Sequence, residues 1–412
     1  MKCGLLGRKL GHSYSPAIHA MLGDYSYRLY EKEPAELEYF LRNGDWDGLN
    51  VTIPYKQAVI PYLDALTPIA EKLGAVNTIL RRDGKLLGSN TDYPGFLSMV
   101  EQSKLCLAGK KCLILGSGGA SKVVQAAVQE LNAHGIVISR NGVNNYENIS
   151  QHKDASIIIN TTPVGMYPET GVSPIDLDMF PALEGVLDLV YNPARTQLLL
   201  DAEKRGLVAM NGLWMLVSQA KHAAELFTNA SITSQQVCHI YNTLQAQMKN
   251  IILIGMPGCG KSTIGPMLAA QTGKIFVDMD SEIENMAQKT IPQIFAEDGE
   301  ETFRSLETKV LHTFGKKSSL VIATGGGCVT QERNYSLLHQ NGTIFWLQRD
   351  VEKLPIDGRP LSQQIDLQKM YDARRHMYYR FANHIIDNNS DPETTVSLII
   401  NYLKDRTENR SL

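Results

Sequence analysis

A glycine-rich loop that ends in lysine and serine carries the clearest chemistry of this sequence. It runs from Gly255 to Ser262 and follows four apolar residues, Ile251 to Ile254, which predict a buried strand. The glycines let successive backbone N–H groups face phosphate oxygens, and a helix predicted from Thr263 to Gln271 adds its N-terminal dipole. Lys261 would place a positive charge near a transferred phosphoryl group, and the Ser262 hydroxyl would bind Mg²⁺. The predicted nucleotide contacts are Gly258, Cys259, Gly260, Lys261, Ser262 and Thr263.

Further polar residues after the loop could form a substrate site beside it. Asp278 and Asp280 occupy alternate positions after a predicted strand, so we expect their side chains to point to opposite sides. One would assist Mg²⁺ through water, while the other would hold and deprotonate a substrate hydroxyl. Gly325 to Gly327 end another apolar strand and would let backbone approach a ligand closely. Arg304 and Arg359 could stabilise phosphoryl transfer, although each taken singly would more often be a solvated surface residue.

A lysine and an aspartate in the first half of the chain could carry out a different reaction. Lys56 and Asp92 both lie in polar turns at the ends of strand-like segments. Reduction of a ketone by a nicotinamide needs a proton donor to the developing alkoxide, and a lysine or a Lys/Asp pair can serve. In isolation such a pair would more often be a surface salt bridge. The neighbouring hydroxyl and amide side chains are those that a small polyol needs for orientation, namely Ser13, Ser15, Thr52, Asn77 and Asn90.

The middle of the chain predicts a dinucleotide site. A strand over Lys111 to Leu115 leads into the glycine-rich turn Gly116 to Ser121, which opens a helix. A second strand, Gly135 to Ser139, ends at Arg140, and this βαβ unit is how a dinucleotide fold begins. A carboxylate at that position would accept from the ribose of NAD, whereas an arginine suits a 2′-phosphate. The sequence therefore favours NADP(H).

The elements that must position these residues are those of α/β domains. Pro16 suits the first turn of a helix with Ser15 as its cap, and Asp83-Gly84 predicts a hairpin turn. Helices are predicted over residues 212–227 and 234–248. We predict a domain boundary near residue 247. Because hardly any linker is present there, the second domain would follow the last helix of the first directly.

Composition limits the class of protein. The chain has 412 residues, enough for two or three domains, and its 43% hydrophobic content is that of globular cores. A formal net charge of −3 gives no reason to expect nucleic acid or a membrane as partner. The six cysteines form no C-x-x-C pair, which favours a reduced, cytoplasmic protein, and no apolar run predicts a signal peptide or a membrane span. Oligomeric state is not determined by these features.

The first part of the chain resembles shikimate dehydrogenase over nearly all of residues 1–247. The motifs that carry the resemblance are Ser13-Tyr14-Ser15, Asn50 to Lys56, Ala75 to Thr78, Asn90 to Asp92, the glycine-rich turn and Asn160 to Met166. The resemblance implies that Lys56 and Asp92 are the catalytic pair. It implies that shikimate or 3-dehydroshikimate is held by Ser13, Ser15, Thr52, Asn77, Tyr191 and Gln219. The implied NADP(H) contacts are Gly116, Ser117, Gly118, Gly119, Ala120, Ser139, Arg140, Leu189 and Gly212.

Two positions depart from the dehydrogenase pattern near the expected nicotinamide. Asn211 precedes Gly212 where the family more often has aspartate, and Trp214 is bulky where a small residue is usual. Cofactor geometry and rate are the properties that these departures would affect.

Residues 248–412 resemble shikimate kinase. The resemblance implies ATP and Mg²⁺ as cofactors and shikimate contacts from Asp280, Arg304, Gly326 and Arg374. Lys261 and Arg359 would stabilise the transferring phosphate, with Ser262 and Asp278 at the metal. Arg374 is chosen over the adjacent Arg375 because Tyr378 and Ala382 follow it at the family's spacing. The stretch from Leu347 to Arg359 is shorter than is usual in shikimate kinases, which predicts weaker binding of ATP.

Together the resemblances imply an α/β protein of two enzymes. A substrate-binding lobe (about 1–100 and 212–247) and a Rossmann NADP lobe (about 101–211) would precede a P-loop, NMP-kinase-like parallel α/β domain. The expected function is reduction of 3-dehydroshikimate followed by phosphorylation of shikimate. A metabolite-sensing regulator built from disabled domains should have lost Lys56, Asp92, Lys261 or Asp280, and all four are present. A catabolic quinate/shikimate dehydrogenase fused to a kinase would be favoured by an acidic residue in place of Arg140.

Overall fold

The computed structural model of this protein describes residues 1–11, 13–354 and 366–408, which fold into two compact units. The first unit comprises Met1–Pro163, Pro174–Tyr191 and Asp201–Asn242. The second comprises Val164–Ser173, Asn192–Leu200 and the chain from Thr243 onward. None of the helices in the described ranges has the length and apolar character needed to cross a membrane.

Strands and helices alternate along most of the chain. The strands are β1 (Lys2–Gly7), β2 (Ser26–Glu31), β3 (Gly48–Val51), β4 (Ala65–Leu66), β5 (Thr78–Arg82), β6 (Lys85–Ser89), β7 (Lys111–Leu115), β8 (His134–Ile138), β9 (Ile157–Asn160), β10 (Gly185–Asp188), β11 (Val208–Asn211), β12 (Asn250–Ile254), β13 (Ile275–Asp278), β14 (Leu320–Ala323), β15 (Gly342–Gln348) and β16 (His384–Asp387). The helices of the first unit are α1 (Ser15–Leu22), α2 (Leu37–Asn43), α3 (Tyr55–Ala58), α4 (Pro68–Leu73), α5 (Asp92–Ser103), α6 (Gly119–Glu130), α7 (Gln197–Lys204), α8 (Leu213–Thr228) and α9 (Ser234–Met248). Of these, α7 and α9 each have residues in both units. The others are α10 (Lys261–Thr272), α11 (Met279–Ala287), α12 (Ile291–Gln293), α13 (Gly299–Gly315), α14 (Asn334–His339), α15 (Leu367–Phe381) and α16 (Pro392–Glu408).

The first sheet is mixed and has the order β2-β1-β3-β5-β6-β4. Strands β1, β2 and β3 are parallel, whereas β5 pairs antiparallel with both β3 and β6. The β5–β6 connection is the predicted hairpin: Asp83 and Gly84 both have positive φ, as a type I′ turn requires. The sheet thus brings the ends of β1, β3 and β6 and the start of β5 together on one edge, beside the start of α5.

The second sheet is parallel with the order β11-β10-β9-β7-β8. Its first strand in sequence, β7, is apolar and mostly buried, because helices cover both faces of a parallel sheet. The strand order reverses beside β7, since β8 lies on one side of it and β9 on the other. Ligands of such folds bind at this reversal, where the carboxyl ends of the strands open a crevice. The expected Rossmann-like α/β class is confirmed.

The third sheet, in the second unit, is also parallel and has the order β13-β14-β12-β15-β16. Its first strand, β12, lies in the middle, and Ile251 to Ile254 are at most 1% exposed. Burying each such side chain contributes about 1.5–3 kcal/mol. The glycine-rich loop after β12 is therefore anchored on the most buried strand, between the ends of β14 and β15. The predicted parallel α/β kinase-type domain is confirmed.

Candidate active sites

Lys56 and Asp92 form an ion pair in the first unit. The Lys56 ammonium donates to Asp92 Oδ2 over 2.5 Å, and the two side chains are 31% and 15% exposed. Lys56 lies on α3 after β3, and Asp92 is the first residue of α5. The pair is thus accessible to a ligand without being a freely solvated surface salt bridge.

The predicted substrate residue Asn77 is buried beside this pair with its amide orientation fixed. Its Oδ1 accepts from the Thr91 N–H at 2.6 Å, from the Thr91 hydroxyl at 3.2 Å and from the Thr78 hydroxyl at 3.0 Å. Asn77 is 3% exposed. Because the oxygen is occupied by these donors, its Nδ2 is the atom that can donate to a ligand.

Tyr191 lies near Ser13 and Ser15, although it comes from a distant part of the chain. The Tyr191 ring packs edge-on against Tyr14, with centroids 6.2 Å apart, and burial raises the Tyr191 pKa. Helix α1 begins at Ser15 itself, whose N–H donates to the Ser13 hydroxyl at 3.2 Å. The prediction that Ser15 caps this helix is therefore wrong, because Ser15 already has helical position and Tyr14 precedes it as the cap residue.

The two other predicted substrate residues occupy the same lobe. Thr52 follows β3, and its N–H donates to Leu6 at the end of β1. Gln219 lies on α8, where its Nε2 donates to the Leu216 carbonyl and its Cβ faces Gly95 of α5. An added Cβ on Gly95 would lie 3.0 Å from that of Gln219, so the two helices are in close contact there.

The glycine-rich turn after β7 can accept a pyrophosphate. Gly116 has φ +105° and its N–H donates to Ile138 of β8, which gives the tight turn that glycine allows. Gly118 caps α6, and a Cβ added to Gly118 or Gly119 would meet nothing within 4 Å. Ser117 and Ala120 are exposed on the same turn. The free space above a helix N-terminus fits an anionic group.

Arg140 lies exposed directly after β8, one residue beyond Ser139. The Ser139 N–H donates to Asn144, which folds the following loop back on the strand. Arg140 also lies near Tyr146, whose pKa is raised by burial and lowered in part by the arginine's charge. An exposed guanidinium at this strand end can reach a 2′-phosphate.

Leu189 and Gly212 form a close backbone contact at the ends of β10 and β11. A Cβ on Gly212 would lie 2.1 Å from the Leu189 carbonyl oxygen, so only glycine fits. Trp214, two residues after Gly212, is buried, and its Nε1 donates to Ser98 of α5 at 2.9 Å. The large side chain of Trp214 is therefore accommodated where α8 packs on α5.

The phosphate loop of the second unit has the backbone that its glycines permit. Gly255, Gly258 and Gly260 have φ values of +144°, +81° and +98°. Lys261, the first residue of α10, donates to the carbonyls of Gly255 and Met256, each at 2.9 Å. The loop therefore curls around the lysine ammonium. Of the other predicted contacts, Cys259 is fully buried and Thr263 lines the cavity described below.

Ser262 and Asp278 meet as a metal site requires. The Ser262 hydroxyl donates to Asp278 Oδ2 at 2.7 Å. Hydroxyl and carboxylate oxygens are the hard donors that Mg²⁺ prefers, with waters and phosphates completing its shell. The described residues include no cluster of three or more His, Cys, Asp or Glu able to hold a metal by themselves.

A cavity of about 670 Å³ joins the phosphate loop to the predicted substrate residues. It is lined by Gly258, Gly260, Lys261, Ser262, Thr263, Asp278, Asp280, Glu284, Arg304, Gly326, Arg349, Lys353 and Arg374, among others. Asp278 caps α11 and Asp280 lies in its first turn, so the expectation that their side chains point to opposite sides is wrong. A helix starts between them and turns both carboxylates toward one cavity. Although Asp280 is solvent-accessible there, the surrounding protein desolvates it and raises its pKa.

Arg304 is held by two glutamates on its own helix, α13. It donates to Glu307 at 3.0 Å and to Glu300 at 3.1 Å, and its side chain is 7% exposed. Burial by itself would lower its pKa, but the two carboxylates outweigh this effect and the pKa is raised. Glu307 is fully buried, and this burial raises its pKa against the attraction of Arg304. The spacing of the two glutamates is visible in the sequence, but the burial of Glu307 is not.

The three glycines after β14 each meet a different part of the site. An added Cβ would lie 2.7 Å from Glu307 at Gly325, 2.5 Å from Pro257 at Gly326 and 2.3 Å from Arg304 at Gly327. The Gly326 carbonyl accepts from Tyr378 at 2.5 Å and from Arg374 at 3.4 Å. Arg374, rather than Arg375, lines the cavity.

Substituting Gly327→Ala should specifically disturb Arg304. The backbone of Gly327 has φ −102°, which alanine accepts, so the effect comes from the methyl group displacing the guanidinium. We expect the kinase KM for shikimate to rise about tenfold, as for loss of one charged hydrogen bond. Steady-state kinetics with varied shikimate measures this, and the dehydrogenase rate of the same preparation is the control. An unchanged KM would contradict the placement of Arg304 at the substrate.

Two basic residues of the cavity were not predicted, and one predicted residue cannot be placed. Arg349 and Lys353, just after β15, line the cavity, and Arg349 Nε is buried without a hydrogen-bond partner among the described residues. The only sequence signal was their position after an apolar strand. Arg359 lies outside the described residues.

Comparison with known proteins identifies both parts of the chain. The family of the shikimate dehydrogenase substrate binding domain matches residues 5–79, and the shikimate kinase family matches residues 257–404. Shikimate dehydrogenase (NADP(+)) of Clostridium beijerinckii is 35% identical over 270 residues, which cover 60% of this chain and 98% of that protein.

Solved structures agree with this relationship. A chorismate mutase/shikimate 5-dehydrogenase fusion protein from Clostridium acetobutylicum has 35% identity and a TM-score of 0.57, covering 59% of this chain and 96% of its own. Shikimate 5-dehydrogenase of Thermus thermophilus, solved with NADP(H) and shikimate, has 31% identity and a TM-score of 0.53, covering 58% and 98%. The chain therefore belongs to the shikimate dehydrogenase family and carries a shikimate kinase domain in the same polypeptide, as a fusion of the two enzymes.

Proposed function

We propose that this protein reduces 3-dehydroshikimate to shikimate with NADPH and then phosphorylates shikimate to shikimate 3-phosphate with ATP. One observation carries the proposal: in each unit the charged groups proposed to react lie at one site. Lys56 pairs with Asp92 in the first, and Lys261 and Asp280 line one cavity in the second. We place the change of function at residues 247–248, at the C-terminal end of α9.

In the reduction, Lys56 acts as the proton donor. Its ammonium group gives a proton to the carbonyl oxygen as that oxygen becomes the alcohol, and Asp92 holds the ammonium in place over 2.5 Å. NADPH, when bound on the Gly116 turn, supplies the hydride. The substrate would be oriented by hydrogen bonds from Ser13, Ser15, Thr52, Asn77, Tyr191 and Gln219.

In the phosphorylation, Asp280 accepts the proton of the attacking hydroxyl. Its raised pKa makes it a better base than an ordinary carboxylate. Arg304 and Arg374 would bind the shikimate carboxylate, and Gly326, which packs against Pro257 of the phosphate loop, would contact shikimate from the cavity wall. ATP with Mg²⁺, when bound at Ser262 and Asp278, supplies the phosphoryl group, whose charge Lys261 and Arg359 would stabilise.

The paired activities can be tested in one reaction. The whole chain is incubated with 3-dehydroshikimate, NADPH, ATP and Mg²⁺, and shikimate 3-phosphate is quantified by mass spectrometry. We expect NADPH oxidation without ATP to stop at shikimate, and addition of ATP to convert it to the phosphate. Accumulation of shikimate in the presence of ATP would exclude the kinase, and absence of NADPH oxidation would exclude the dehydrogenase.

Arg140→Ala tests the choice of cofactor. Loss of the guanidinium that would pair with the 2′-phosphate should raise the KM for NADPH about tenfold or more and leave that for NADH nearly unchanged. Steady-state kinetics with both cofactors at fixed 3-dehydroshikimate measures the ratio. Arg28→Ala, at an exposed arginine of β2, is the matched control and should change neither KM. Equal effects of Arg140→Ala on NADPH and NADH would remove the assignment.

We also place the protein in the cytoplasm. Its six cysteines all have free thiols, which a reducing compartment maintains, and its proposed cofactors NADPH and ATP occur there.

A further inference from the structure

The phenol of Tyr27 lies between α1 and β3 of the dehydrogenase site. Tyr27 lies on β2, and its ring stacks on His19 of α1 with centroids 3.9 Å apart. Its hydroxyl donates to Asn50 Oδ1 on β3 at 2.8 Å. Burial raises the pKa of Tyr27 well above its ordinary value, so the hydroxyl keeps its proton and remains a donor.

From Asn50 the hydrogen bonds continue to Asn77. Asn50 Nδ2 donates to the Thr78 hydroxyl at 3.3 Å, and that hydroxyl donates to Asn77 Oδ1 at 3.0 Å. Asn50, Asn77 and Thr78 are at most 5% exposed. Because water has little access to these groups, a lost partner is not readily replaced, and each amide is held in the orientation that its neighbour dictates.

This arrangement determines which atoms face the substrate. Asn50 must present Oδ1 to Tyr27 and Nδ2 to Thr78, which in turn must present its proton to Asn77. Asn77 then has Nδ2 left for the ligand. If the Tyr27 hydroxyl is removed, Asn50 Oδ1 loses this donor, and the amide that bonds to the Asn77 carbonyl and to Thr78 is held less firmly, which should let Asn77 shift relative to the substrate.

We propose that Tyr27 is a positioning residue of the dehydrogenase, whose hydroxyl holds Asn50 and, through Asn50, the backbone carbonyl of Asn77 and the hydroxyl of Thr78. The Tyr27 hydroxyl bonds to Asn50 rather than to Lys56 or Asp92, so it acts through residues that bind the substrate. The proposal rests on the proposed function, in which Asn77 binds shikimate.

Tyr27→Phe and Tyr25→Phe form a matched pair of variants of the full-length chain. Tyr25 belongs to the same aromatic cluster, but its hydroxyl pairs with His19 Nδ1 at 2.7 Å rather than with Asn50. Oxidation of shikimate with NADP⁺ is followed by absorbance, and the KM values for shikimate and NADP⁺ are obtained separately. The kinase KM for shikimate is measured on the same preparations.

We expect Tyr27→Phe to raise the dehydrogenase KM for shikimate about tenfold while the KM for NADP⁺ and the kinase KM change less than about twofold. Tyr25→Phe should change all three less than about twofold. Thr78→Val, which breaks the same chain of hydrogen bonds at its far end, should reproduce the Tyr27→Phe result and serves if that variant folds poorly. Equal rises in both dehydrogenase KM values, or no rise, would overturn the positioning role. A wild-type chain that fails to oxidise shikimate would instead overturn the proposed function.

Discussion

Lys56→Met should lower the rate of 3-dehydroshikimate reduction about 10³-fold, within the range that a positioned general acid contributes. Methionine retains the length of the side chain but has no proton to give, and it leaves Asp92 without its partner at 2.5 Å. The measurement is kcat for NADPH oxidation at saturating substrate. Because the proposed cofactor contacts lie on the Gly116 turn, the KM for NADPH should change less than about threefold.

The fusion supplies an internal control for this variant. Phosphorylation of shikimate by the same Lys56→Met preparation should be unchanged, which separates loss of chemistry from loss of folded protein. Lys72→Met, at an exposed lysine of α4 in the same lobe, should leave both activities intact. A Lys56→Met enzyme that retains reduction within about tenfold of wild type would exclude Lys56 as the proton donor.

The second large effect is expected at the phosphate loop. Lys261→Met should lower kinase kcat about 10³-fold, because it removes a preorganised charge from the transferring phosphoryl group in a cavity where it is only 8% exposed. It also leaves the carbonyls of Gly255 and Met256 without their donor, which should loosen the loop and raise the KM for ATP. Kinase turnover, coupled to ADP formation, measures both parameters.

The dehydrogenase activity of Lys261→Met should remain that of wild type. Lys309→Met is the matched control, since Lys309 is exposed on α13 of the same unit. If Lys261→Met and Lys309→Met phosphorylate shikimate equally well, the loop does not carry the reaction assigned to it. Opposite losses in Lys56→Met and Lys261→Met would establish that the two activities use separate sites in one chain.

The sequence alone determined the local chemistry of both halves. The run of apolar residues before Gly255 can only be a buried strand, and the glycine, lysine and serine spacing after it requires a curled backbone to bind phosphate. The β7 strand and its turn are similarly local, as is the Asp83-Gly84 hairpin, whose residues tolerate positive φ. These features depend on neighbours in sequence, so periodicity and residue type are enough to predict them.

Tertiary structure decided which distant groups meet and how they are oriented. Only the packing of α13 buries Glu307 against Arg304, and only the start of α11 turns Asp278 and Asp280 toward one cavity. Trp214, which the sequence placed near the nicotinamide, is drawn into the contact of α8 with α5. The hydrogen bonds from Tyr27 to Asn77 likewise join three strands of one sheet. Burial and hydrogen-bond partners are properties of non-local contacts, and no spacing along a single chain specifies them.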